Sequence, residues 1–309
     1  MNTSTKSPIV TYFDWNIIAY YRDFLFKNEM KYSDQFEKIQ KLLSDKEILS
    51  YYSDAHISDL IPINDPGSFD CSNDLAAISK ITQDIYLSYN ILDVEFKFLI
   101  ENPKNIYDHM LKNHNPVLNL ETIFEPDDPL GGMLNSFLKM IPSPIPTNSP
   151  YKPDNNNTLM DVMKYFTEWN NKTISDPKVY RQRKNELFDA DTTNTFQDIN
   201  SELQNGDTEK FEALLKTLFK HAGKMIKSRL DETMLIFLFL DQVRYASDRA
   251  QKNIQADSQH AAYASIADSK YFVSNDKNLL KKTKVAYKIL DISTIPIGLD
   301  EFLNLFQSV

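Results

Sequence analysis

Ala256 to Lys281 reads ADSQHAAYASIADSKYFVSNDKNLLK. The alanine-rich part predicts a helix over Ser258–Ala267. Tyr271–Ser274 (YFVS) is a short run of aromatic and β-branched residues and predicts a strand. Asp276 follows, in N-cap position for KNLLKK. Helix, strand and helix in so short a stretch predict one unit of a parallel α/β sheet.

The same alternation is found at the start of the chain. Pro8 to Phe13 (PIVTYF) predicts a strand ending at Asp14, and NIIAYYRDFLF predicts a helix. Phe36, Ile39, Leu42 and Leu43 fall on one face of a helix through Tyr32–Leu43. Glu47 to Tyr52 (EILSYY) predicts a second strand, and Ser53 suits an N-cap before Ile57, Leu60 and Ile61. Towards the C-terminus, Asp231 to Gln251 predicts one long helix. Val285–Leu290 (VAYKIL) predicts another strand, and LDEFLNLF an amphipathic helix.

Between these ends the pattern is helical. Helices are predicted through Asp74–Ser88, Val94–Leu99, Ile106–Lys112, Met133–Met140, Leu159–Asn170 and Phe211–Arg229, with no strand among them. PSPIPTNSPYKPDNNN, residues 142–157, predicts a loop because proline blocks both helix and sheet hydrogen bonding. A second polar stretch, DADTTNTFQDINSELQNGD, predicts loop with a short helix. The expectation is an α/β core formed by residues 8–62 and 231–307, a small parallel sheet flanked by helices, interrupted by a large all-helical insertion over residues 63–230.

Composition narrows the function. The chain has 309 residues with 42% hydrophobic and 25% charged, which are ordinary globular proportions. Six glycines, with no GxxxxGK[ST] and no GxGxxG, exclude the usual phosphate loops. A formal charge of −9 argues against broad, non-specific nucleic-acid binding. It does not argue against a carboxylate site that needs negative charge before a cation arrives. Cys71 is the single cysteine, so intrachain disulfides and cysteine zinc sites are excluded, which suits a reducing cytoplasm. The N-terminus has no apolar run of signal-peptide length, and Met234 to Leu240 is too short to span a bilayer, so no membrane association is expected.

Parallel α/β sheets place their sites at the carboxyl ends of strands. Asp14, the Ser53–Asp59 segment and Ser274–Asn275–Asp276 all fall there, and Asp257 stands at the predicted start of the preceding helix. Four carboxylates in one place repel unless a cation compensates them, and hard oxygen donors select Mg²⁺ or Mn²⁺. Asp54 rivals Asp59, but five residues turn a helix by about 140°, so the two cannot face one ion. Asp59 is preferred, since Asp54 sits beside the N-cap and suits the helix dipole. His56 and His260 could orient substrate or titrate near neutrality, although a buried or surface role is the commoner one.

These residues carry a family resemblance. The strand with TYFDWNIIAYY resembles the opening of PIN-domain nucleases, an apolar strand followed by Asp, any residue and Asn, here Asp14 and Asn16. LSYYSDAHISDL resembles their second motif, with Asp59 where the family more often has glutamate. ADSQHAAYASIADSKYFVSNDKNLLK resembles their Asp on an alanine-rich helix, strand, then Thr or Ser, any residue, Asp, here Asp257, Ser274 and Asp276. DISTIPIGLDEFLNLF is similar to the family's last strand and helix. The resemblance implies Mg²⁺- or Mn²⁺-dependent hydrolysis of nucleic acid. It implies RNA before DNA, with Asp14, Asp59, Asp257 and Asp276 on the metal and Asn16 and Ser274 orienting them. Against it stand a DNA-directed nuclease of a defence or toxin system and a catalytically inactive interaction module. The insertion would gate the site or bind a regulatory protein partner. Each aspartate also has a bland reading: Asp14, Asp257 and Asp276 can all be helix caps. The lysines after Asp276 and the arginines near residue 181 are by default solvated faces, or else guides for phosphate.

Overall fold

A computed structural model describes residues 7–27, 30–61, 70–90, 95–113, 193–222, 228–246 and 251–306. Four strands form a wholly parallel sheet in the order β2-β1-β5-β6: β1 Ile9–Phe13, β2 Ile48–Ser50, β5 Tyr271–Val273 and β6 Ile295–Ile297. The two central strands come from opposite ends of the sequence, with Thr11 beside Tyr271 and Phe13 beside Val273.

Strand alternation sends neighbouring side chains to opposite faces, and each face has its own core. Phe13 and Val273 pack with helices α1 (Trp15–Lys27), α2 (Ser33–Ser44) and α4 (Ser72–Thr82). Tyr12 and Phe272 pack with α8 (Arg229–Gln242), α9 (Gln251–Ile266) and α10 (Lys277–Ile289). Helices α6 (Thr193–Gln204) and α7 (Glu209–Ala222) join this second core through Ile199, Leu203, Phe211 and Leu215. The short helix α3 (Asp54–Ser58) follows β2, α5 (Pro103–Asn113) adds Tyr107 to the first core, and α11 (Leu299–Asn304) follows β6. The result is a parallel sheet between two helical layers.

Several expectations are corrected. The segment 63–230 is not all helical. Residues β3 Ile85–Asn90 and β4 Glu95–Ile100 form an antiparallel hairpin, and Tyr86 makes a bridge to Tyr52 beyond β2. Helix α4 ends at Thr82 because Gln83 and Asp84 turn left-handed, at φ 53° and 60°. The alternation in IYLSYN and EFKFLI then behaves as strand. Val285–Leu290 is not a strand but the end of α10, whose Leu279, Lys282, Val285 and Ala286 recur at helical spacing on the buried side. The strand lies instead at Ile295–Ile297. The long helix expected over Asp231–Gln251 ends at Gln242, and a separate helix, α9, begins at Gln251. Helix α8 stops at Val243, where Arg244 and Ala246 adopt positive φ.

The edge strand β6 carries Pro296 at its centre. Ile295 donates its N–H to Lys270, and Ile297 accepts from Ser274, so both face β5. Pro296 therefore faces outward, where its missing N–H denies a donor to any added strand. The helices expected at Met133–Met140 and Leu159–Asn170, the loop at 142–157 and the arginines near residue 181 lie outside the described residues. Among the described residues no helix is long and apolar enough to cross a membrane.

Candidate functional site

The strand order sets the place of the site. From β1 the chain moves to β2 on one side, and from β5 it moves to β6 on the other. A crevice opens at such a reversal, beyond the carboxyl ends of the two central strands. Asp14 and Ser274 leave those strand ends, and the Asp14 N–H donates to Val273 O at 2.9 Å.

Asp14 is buried. Its Oδ2 accepts from Ser274 Oγ at 2.9 Å and from Asn16 Nδ2. Asn16 Nδ2 also reaches Ser274 Oγ at 2.8 Å, and Asn16 Oδ1 accepts the Asn275 N–H at 3.0 Å. Ser274 Oγ in turn accepts the Asp276 N–H at 3.0 Å. Asn16 and Ser274 thus lock the two strand ends together around one carboxylate. Burial pushes the Asp14 carboxyl above its ordinary range, and the nearby Asp59 charge adds to that. His260 and the Ser274 hydrogen bond oppose the rise.

Asp59 and Asp54 point to different tasks. Asp59 is the C-cap of α3, not a residue inside a longer helix, and its Oδ2 accepts from His260 Nε2 at 2.9 Å. Asp54 accepts from Tyr86 Oη at 2.6 Å and Tyr263 Oη at 3.3 Å, a structural role. Asp257 lies within α9 and not at its start, and Lys282 Nζ donates to its Oδ2 at 3.0 Å. Asp276 is an exposed N-cap of α10, its Oδ1 accepting from Asn278 N at 2.7 Å and Leu279 N at 3.0 Å. The structure therefore joins Asp59, Asp14 and Asp257 electrostatically through His260. It gives Asp257 and Asp276 local partners of their own.

Beneath the carboxylates lies a buried polar network that the sequence reading does not contain. Tyr12 Oη is 2.8 Å from His260 Nδ1, 2.9 Å from Ser53 Oγ and 3.3 Å from His56 Nδ1. His56 Nδ1 accepts the Ser53 N–H at 3.1 Å, and Nε2 donates to Phe13 O at 2.8 Å, which fixes a neutral tautomer. Burial holds the His56 pKa well below that of an ordinary histidine, and His260 pushes it the same way. For His260, burial works against the charge. The Asp59 hydrogen bond and the Asp59, Asp14 and Asp257 charges outweigh it, and the pKa rises. Asp59 is thereby held by a histidine that is itself held by Tyr12 from the central strand. The contacts span 41 to 248 residues in sequence, so no local pattern announces them. Lys282 did leave a signal, a lysine on the apolar face of α10.

Among the described residues no group of three or more His, Cys, Asp or Glu side chains is gathered so as to hold a metal ion. The arrangement can offer an ion two carboxylates, Asp14 and Asp59, near the carboxyl ends of the central strands. Comparison with family models, with curated proteins and with solved structures finds no match to this chain.

Proposed function

We propose that the chain is a PIN-like, metal-dependent nuclease that hydrolyses phosphodiester bonds, in RNA before DNA. The observation that carries this reading is Asp14. It is a buried carboxylate at the reversal point of a parallel sheet, bonded by Ser274 and Asn16 and crowded by the Asp59 charge. A group so placed gains from a cation.

The donor set fits Mg²⁺ or Mn²⁺. It is all oxygen, and Mg²⁺ is commonly held by one or two carboxylates while water and substrate phosphate complete the shell. Asp14 and Asp59 would hold the ion, and Asp257 and Asp276 would add negative charge to the site. When bound, the ion would lower the pKa of a water and neutralise charge on the phosphodiester. Ser274 and Asn16 keep the Asp14 carboxylate in one orientation, and His260 does the same for Asp59. The test is cleavage of labelled single-stranded RNA and DNA by the purified protein with Mn²⁺, with EDTA, and by Asp14→Asn protein. Metal-dependent cutting lost in the variant is the expected result. Equal cutting by Asp14→Asn protein would refute the assignment.

A second reading is an interaction module that has kept the fold without the chemistry. Its support is that every acid of the set has a protein partner within the chain. Absence of bound Mn²⁺ at millimolar concentration would favour it.

A further inference from the structure

Helix α10 reads KNLLKKTKVAYKI, with five lysines and no acid. Lys282 is buried, and the other four, Lys277, Lys281, Lys284 and Lys288, are exposed. Their spacing of four, three and four residues keeps them within about 60° around the helix axis, one straight stripe about 16 Å long. Among the described residues none of these four makes an ion pair, and Lys288 Nζ reaches only the Gly206 carbonyl, at 3.5 Å. The chain carries −9 overall, so this face concentrates positive charge locally, and local charge is what meets phosphate. The stripe starts beside Asp276, two residues beyond the Ser274 that holds Asp14. At its other end Lys284 and Lys288 form one wall of an open groove of about 690 Å³ along the edge strand β6. Ile292, Ile295, Pro296 and Leu305 give that groove apolar surface, with Ile295 and Leu305 exposed, and Asn304 and Glu301 stand among them.

We propose that the exposed face of α10 is a track for single-stranded nucleic acid, leading from the site to the groove beside β6. The inference rests on the nuclease reading. With one charge per about 3.4 Å of strand, a stripe of about 16 Å spans about five phosphates, a density that four ammoniums match. An occupant of stripe and groove together carries negative charges along one side and apolar faces along the other. A single strand does so, with its phosphates on the lysines and its bases against Ile295 and Leu305. A duplex turns its base faces inward and leaves the groove unfilled. A peptide strand added to β6 meets Pro296, which has no N–H to give it.

The experiment measures binding of a short, fluorescently labelled oligouridylate to full-length protein by anisotropy, in EDTA, over a series of salt concentrations. For single strands the logarithm of the affinity falls with that of salt by about 0.7 per phosphate contact, so the Lys281→Gln/Lys284→Gln double variant should flatten the slope by about 1.4. The same change of charge on exposed Lys38 and Lys41 of α2 should leave the slope as it is. The strand annealed to oligoadenylate should bind more weakly than the free strand at equal salt. An unchanged slope in the α10 variant, or an equal flattening in the α2 variant, overturns the track, and duplex binding as tight as single-strand binding overturns the occupant. The nuclease reading survives either result if the wild type still cuts oligouridylate with Mn²⁺. A wild type that neither binds nor cuts overturns both.

Discussion

Replacing Tyr12 with phenylalanine removes one oxygen from the centre of the buried network and nothing else. The ring stays, so its contacts with Tyr51, His56 and Phe272 persist and no cavity of side-chain size opens. What is lost is the partner of Ser53 Oγ at 2.9 Å and of His260 Nδ1 at 2.8 Å, both fully enclosed. A buried polar group left unsatisfied costs about 1–3 kcal/mol; His260 Nδ1 loses its partner while Ser53 Oγ keeps His56 Nδ1 at 3.5 Å, so the predicted loss is about 1–3 kcal/mol. Urea unfolding at pH 7, with the slope unchanged between wild type and variant, measures it. Half-buried Tyr20 supplies the comparison, and Tyr20→Phe should cost under about 0.5 kcal/mol. A Tyr12→Phe loss as small as that of Tyr20→Phe would refute the claim that the hydroxyl organises the site's floor.

Asp14 has a folded pKa raised above its unfolded value, so the native state binds more protons in that interval and the group favours folding as pH falls. In metal-free buffer, the stability of wild type relative to Asp14→Asn should therefore rise as pH drops from neutral through the elevated pKa towards 3.8, measured by paired urea titrations. Asp54→Ala should strand the hydroxyls of Tyr86 and Tyr263 and cost about 2 kcal/mol, while Mn²⁺ affinity by calorimetry stays put. Asp59→Asn should show the reverse, with Mn²⁺ affinity down about tenfold or more. Asp276→Ala removes the N-cap of α10 and should cost about 1 kcal/mol in thermal unfolding. Asn caps as well as Asp, so Asp276→Asn should keep that stability and report on charge alone in a cleavage assay.

The parallel sheet was legible because PIVTYF, EILSYY and YFVS are short, apolar and bounded by polar residues. The aspartates were legible because they stand where such strands end. The β3–β4 hairpin was not. IYLSYN continues a helical run without a glycine or proline to mark the break, and the break is two residues, Gln83 and Asp84, forced into left-handed backbone. VAYKIL alternates over a short window, yet the helix that contains it begins at Lys277 and buries Leu279 and Lys282 on the same side. Longer windows settle such cases, because period 3.6 and period 2 diverge only over several turns. Tyr12, His56 and His260 could not be read as a set: their geometry is a product of tertiary packing. The Lys282 pairing is of the same kind.

The pairing of β1 with β5 also governs how the chain is made. Asp14 and Ser274, which share a hydrogen bond, are 260 residues apart. During synthesis β1 emerges before β5, and the 260 residues that separate Asp14 from Ser274 must be made before the other central strand arrives. Closing so long a loop is slow, and an unpaired apolar strand is open to wrong partners meanwhile. A ribosome that stops short of Tyr271 releases a chain whose first strand has only one neighbour and whose Asp14 has neither Val273 nor Ser274 to hold it. The site's two strand ends are then brought together only once β5 has been made.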